Sequence, residues 1–140
     1  MPKRRRGSRH AVRPGGRVRR SHDAFEVLVD RALAGIPSPF RESLREVAIV
    51  VDDEPSAAQR RENGLGPNDT LYGLYEGTPR TEWAADWAIG PNKITLFRLP
   101  LEEDFADPDD LAEEVRLTVI HELAHHLGID DERLDELGID

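Results

Sequence analysis

The chain has 140 residues and a net charge of −9, from 19 Lys and Arg against 28 Asp and Glu. Residues 1–20 hold nine of those bases and no acid, so the charge divides into a +9 arm and a −18 body. A body of 120 residues fits one domain core, and the absence of cysteine excludes disulfides, thiolate zinc sites and thiol nucleophiles.

Residues 1–21 are rich in Arg, Gly, Pro and Ser and nearly free of apolar side chains, which predicts a disordered basic arm. Such an arm can make weak contacts with nucleic acid, although it lacks the interleaved aromatics that stack on bases. It can also lie across the body's own acidic face, because residues 102–140 hold 15 acids and two bases. No apolar stretch follows the arm, so it does not read as a secretory signal. No run approaches the ~20 apolar residues of a membrane span, so no membrane partner is expected. With no cysteine, a cytoplasmic location is expected.

His22 and Asp23 open an amphipathic helix. Phe25, Leu28, Val29, Ala32, Leu33 and Ile36 recur at helical spacing, and Pro37 stops it. Residues 46–52 read as a short buried strand, residues 53–70 as a polar loop, and residues 71–76 as a second strand. Trp83 and Trp87 read as aromatics covering the core. Residues 92–98 alternate apolar and polar, as a half-buried or edge strand does. The next helix is predicted over 108–127. Asp107 can cap it, Pro108 suits its first position, and Gly128 suits its stop. A short helix over 132–137 ends the chain.

The 108–127 helix carries His121-Glu122-x-x-His125. Four residues is about one helical turn, so the two imidazoles stack on one face and can hold one Zn²⁺. Glu122 lies about 100° further round, where its carboxylate can reach a zinc-activated water without ligating. Beyond Gly128, Asp131 is the candidate third ligand, with Asp130 and Glu132 beside it as alternatives. His126 is rotated off the ligand face and reads as a packing residue or a hydrogen-bond partner. By composition, HExxH alone arises in roughly 2% of shuffled sequences, but the full H-E-x-x-H-x-x-G-x-x-D pattern in roughly one in several thousand. The longer pattern therefore carries the assignment. It resembles the metzincin motif, with aspartate where most of those enzymes have a third histidine.

The chain as a whole resembles the small bacterial zincin-like metallopeptidases, the mini-zincins. The resemblance spans roughly residues 23–138. It rests on residues 121–131 and 132–138, on Gly73-Leu-Tyr-Glu-Gly-Thr-Pro79 and on residues 94–102. It implies an α+β, minimal zincin-like fold over 22–140, with a small twisted sheet packed on an N-terminal helix and the HExxH helix. It implies His121, His125 and Asp131 as zinc ligands and Glu122 as general base. The expected function is a zinc-dependent metallopeptidase that hydrolyses peptide or protein substrates, with water activated by Zn²⁺. The strand over 94–98 would pair with the extended peptide if it lay at the cleft edge. The chain lacks the methionine turn of metzincins, Met1 being its only methionine, which motivates an alternative: a catalytically weak or inactive zincin-fold binding or regulatory domain.

Overall fold

A computed structural model describes residues 4–5, 22–77 and 92–136, without the side chains of Arg4, Arg5, Asp131 and Asp135. In chain order the elements are β1 (Arg4–Arg5), α1 (His22–Ala34), α2 (Phe40–Ser43), a 3₁₀ turn (Leu44–Glu46), β2 (Ala48–Asp52), α3 (Ala57–Glu62) and β3 (Asp69–Thr70). There follow β4 (Gly73–Glu76), β5 (Lys93–Phe97), α4 (Arg98–Asp104), α5 (Pro108–Leu127) and α6 (Asp131–Glu136). The architecture is α+β, as expected. No helix among the described residues is long and apolar enough to cross a membrane.

The sheet has three strands in the order β2–β5–β4, with β2 parallel and β4 antiparallel to β5. One face packs on α1 and α5. Phe25, Leu28, Val29 and Ala32 from α1 meet Ile94 and Leu96 from β5 and Leu111, Val115, Val119, Ile120 and Leu123 from α5. Each fully buried side chain of this size contributes about 1.5–3 kcal/mol. The last five therefore hold α5 firmly beneath the sheet.

The strand over 93–97 is central rather than an edge, so the expected peptide-pairing role at its edge does not hold. Its polar residue, Thr95, gives the strand a half-exposed look in sequence, yet Thr95 is fully buried. The second face is covered locally by Leu71, Leu74 and Phe97, a small cluster of its own. The outer strands are β2 and β4, each with no strand on its other side among the described residues, and β4 is the one that touches Glu122 of α5.

The segment expected as a loop contains α3. Ser56 Oγ accepts from Gln59 N–H at 3.0 Å, and Gln59 Oε1 accepts from Ser56 N–H at 2.8 Å, a reciprocal capping box. α4 tolerates Pro100 because it stands in the first turn, where backbone N–H groups have no helical partner. Within the arm expected to be disordered, Arg4 and Arg5 pair antiparallel with Thr70 and Asp69. This described contact of the arm is with residues 69–70, not with the acidic 102–140 segment. Trp83, Trp87 and Leu137 lie outside the described residues.

Candidate metal centre

α5 begins and ends as its sequence dictates. Asp107 Oδ2 accepts from the backbone N–H of Asp109 and Asp110, both at 3.0 Å, and Pro108 follows the cap. At the other end Gly128 adopts the left-handed conformation, with φ 75° and ψ 22°. Gly128 N–H then bonds to His125 O at 3.1 Å and Ile129 N–H to Ala124 O at 2.7 Å, a Schellman closure. The last turn of α5 is thereby held, and it carries the histidines.

His121 is buried, with 7% exposure, and its Nδ1–H donates to the Leu117 carbonyl at 3.0 Å. A carbonyl can only accept, so this bond fixes the tautomer and leaves Nε2 with its lone pair. His125 is more open, and its Nδ1 lies 3.5 Å from Glu122 Oε1. Glu122 is fully buried. Its Oε1 accepts from the backbone N–H of Tyr75 at 2.9 Å. Its Oε2 is buried with no hydrogen-bond partner among the described residues.

The chain turns back after Gly128 because Leu134 of α6 is fully buried in the main core. Asp130, one of the alternatives for third ligand, caps α6: its Oδ1 accepts from Arg133 N–H at 2.9 Å. Glu132, the other alternative, is exposed. Asp131 opens α6, and its side chain lies outside the described residues. Among the described residues no three His, Asp or Glu side chains form a metal-binding group.

Do the residues present suit zinc? Two imidazoles stand one turn apart, one with its tautomer set for Nε2 ligation. A buried carboxylate oxygen beside them has no donor among the described residues. A buried polar atom of that kind costs about 1–3 kcal/mol unless something meets it. Nitrogen donors at this spacing, with an acid next to them, are what a catalytic zinc site uses. The residues fit the group.

Three features of the site escape the sequence. The first is Tyr75. Its backbone N–H holds Glu122, and its hydroxyl stands 3.1 Å from both His126 Nδ1 and Asn92 Oδ1. Burial pushes the Tyr75 phenol above its ordinary pKa, so the hydroxyl keeps its proton through neutral pH. The second is Glu46, whose Oε1 is 2.8 Å from His126 Nε2. His126 itself, 1% exposed, is the buried hydrogen-bonding residue that its position on the helix predicts. The third is the contact of Gly73 with Thr118. A Cβ at position 73 would fall 2.6 Å from Thr118 Cγ2, so only glycine lets β4 come this close to α5. Tyr75 does lie in the motif 73–79, but its partners are 47 and 51 residues away in sequence, beyond any local periodicity.

No curated protein is significantly similar. A solved structure of a conserved hypothetical protein from T. thermophilus is 26% identical, with 86% of this chain and 100% of that chain covered and a TM-score of 0.49. The family model of the zincin-like metallopeptidases matches residues 44–139, which is more than half of the chain and includes β2, β4, β5, α5 and α6. The chain belongs to the zincin-like metallopeptidase family.

Proposed function

We propose that the protein is a zinc-dependent peptidase in which Glu122 is the general base and His121, His125 and Asp131 hold the metal. The observation that carries this reading is the state of Glu122: fully buried, one oxygen held by Tyr75 N–H, the other without a donor among the described residues, beside two histidines one turn apart. Zinc, when bound, supplies Lewis acidity toward a water and toward the scissile carbonyl. Glu122 Oε2 accepts the proton of the attacking water and passes it to the leaving amine. A buried carboxylate with one fixed oxygen needs little reorganisation for either transfer.

The peptide lies along the free edge of β4. Phe97 N–H bonds to Tyr72 O at 2.9 Å, and the β4–β5 register pairs Gly73 with Leu96 and Tyr75 with Ile94. Ladder bonds alternate along an antiparallel pair, so residues 72, 74 and 76 bond toward β5. Gly73 and Tyr75 therefore turn their backbone groups outward, toward an added strand. Tyr75 N–H is taken by Glu122, which leaves the Gly73 groups and the Tyr75 carbonyl for substrate.

A peptide-library digest with zinc-loaded wild type and Glu122→Ala tests the function. Cleavage by wild type that the variant loses supports it. Stoichiometric zinc with no cleavage above the variant overturns it in favour of a non-catalytic binding domain. Zinc itself is checked by titration, where wild type takes up one equivalent and His121→Ala with His125→Ala takes up none.

A further inference from the structure

We propose that Tyr75 and His126 form a two-point clamp that positions Glu122, a role that rests on the peptidase reading above. Glu122 and His126 are four residues apart, so they present side chains one turn apart along the same side of α5. Tyr75 touches both. Its backbone N–H donates to Glu122 Oε1 at 2.9 Å, and its hydroxyl lies 3.1 Å from His126 Nδ1. The two rings stand 5.7 Å apart at 56°. The rise of one turn is about 5.4 Å, and Tyr75 bridges it by bonding through its backbone N–H at one end and its hydroxyl at the other. One residue of β4 thus spans one turn of α5.

Both ends of the clamp are anchored elsewhere. His126 Nε2 meets Glu46 Oε1 at 2.8 Å, which ties the imidazole to the 3₁₀ turn before β2. The Tyr75 hydroxyl also meets Asn92, the residue before β5, at 3.1 Å. Gly73, two residues before Tyr75, rests against Thr118, one turn before Glu122. Strand and helix therefore run alongside each other in step, and a shift of β4 along α5 breaks all of these contacts together.

The consequence is directional. A carboxylate with neither oxygen held can rotate its plane. With Oε1 fixed on Tyr75 N–H, Oε2 has one direction. The same strand edge that aims the base also receives the peptide, so the clamp sets base and substrate in one frame. Positional errors of about 1 Å in such a frame cost about a hundredfold in rate. Loss of a single hydrogen bond in the clamp should cost less, about tenfold in kcat.

The test uses full-length protein with Tyr75→Phe and His126→Gln. Tyr75→Phe keeps the ring and the backbone N–H and removes only the hydroxyl. His126→Gln keeps a side chain able to bond to that hydroxyl. In zinc-loaded protein, Tyr75→Phe should lower kcat about tenfold with KM within about twofold, and zinc stoichiometry should stay at that of wild type. His126→Gln should retain more of the kcat than His126→Phe. In zinc-free protein, hydrogen exchange of the residue-75 amide should quicken about tenfold in Tyr75→Phe, and that amide's NMR shift should move in Glu122→Gln. Wild-type kcat together with unchanged exchange at residue 75 in Tyr75→Phe overturns the clamp. Wild type that cleaves no faster than Glu122→Ala overturns the peptidase reading instead, and the exchange measurement then decides the clamp by itself.

Discussion

Two buried glutamates near opposite ends of the central strand have different surroundings. Glu102 of α4 is 6% exposed and meets a full positive charge: Arg98 Nη1 lies 3.0 Å from its Oε1, one turn back on the same helix. Arg98 also reaches Asp53 Oδ1 at 3.0 Å and so ties α4 to the end of β2. Glu122 has no such cation among the described residues. Among the described residues it meets a neutral backbone N–H and the imidazole edge of His125. The fold sets one acid against a guanidinium and the other against a backbone amide. In the proposed reading, Arg98 makes Glu102 a structural carboxylate, whereas Glu122 is held for chemistry.

The sharpest way to break this contrast is Glu122→Gln. The amide keeps the size of the side chain and can still accept from Tyr75 N–H, but it cannot take a proton from water. Cleavage should fall by about 10²–10⁴-fold, the usual contribution of a positioned general base. Thermal stability should hold or rise, because a buried charge without a cation is removed. Kinetics and melting on one preparation check both halves. A variant that melts well below wild type would make Glu122 a structural acid like Glu102.

The next effect concerns the seat beneath Glu122. Gly73→Ala places a Cβ 2.6 Å from Thr118 Cγ2. Overpacking of this kind costs about 1–3 kcal/mol, and relief by moving β4 would also displace Tyr75 from Glu122. Stability and kcat should therefore fall together. Adding Thr118→Ser removes the opposing methyl and should restore part of both, a coupling that a double-mutant cycle measures. Full additivity would show that β4 and α5 do not share this contact.

How much of this contrast can be read beforehand depends on distance along the chain. α5 is legible to its ends because its signals are local: Asp107-Pro108 at the start, Gly128 at the stop, and a 3.6-residue period between them. The pair His121 and His125 follows from the same period. Tyr75, Glu46 and Asn92 are not legible, because each reaches the site through tertiary packing rather than through spacing. β5 reads as a half-buried or edge strand because one threonine imitates an outward-facing position. α3 stays hidden although Ser56-x-x-Gln59 spells a capping box, since Gly64, Gly66 and Pro67 just beyond it dominate the turn signal. α4 stays hidden because Pro100 looks like a breaker unless its place in the first turn is known. The pairing of Arg4 and Arg5 with β3 is a backbone event that no side-chain pattern announces.

On the other side of the contrast, Glu102→Gln should cost stability and spare activity. The partner side chains are 13% and 5% exposed, so the pair is largely shielded from solvent. Removing one partner of a fully buried pair costs about 3–5 kcal/mol. Here Asp53 still meets Arg98, so about 1.5–3 kcal/mol is expected, the range for a hydrogen bond to a charged group. A domain of this size should then melt several degrees lower. Wild-type kcat in the same sample would separate Glu102 from Glu122 by function.

The smallest effect calibrates the other two, because it comes from a carboxylate paired at the surface. Arg116 Nη2 lies 2.6 Å from Glu113 Oε2, with side-chain exposures of 28% and 55%. The hydrogen bond from Arg116 holds the Glu113 carboxyl below its ordinary pKa. A lowered pKa means that the folded state favours the ionised form. The stabilisation is therefore complete above the unfolded-state pKa and is lost as pH falls through the folded one. Solvent screening limits it to about 0.5 kcal/mol. Glu113→Gln should lower Tm by about 1–2 °C at pH 7, and the difference should shrink toward zero under strongly acidic conditions and in high salt. A larger loss that persists in high salt would mean that surface pairing is worth as much here as the shielded Arg98–Glu102 pair. Exposure would then no longer separate the Glu113 pair from the Glu102 pair in strength.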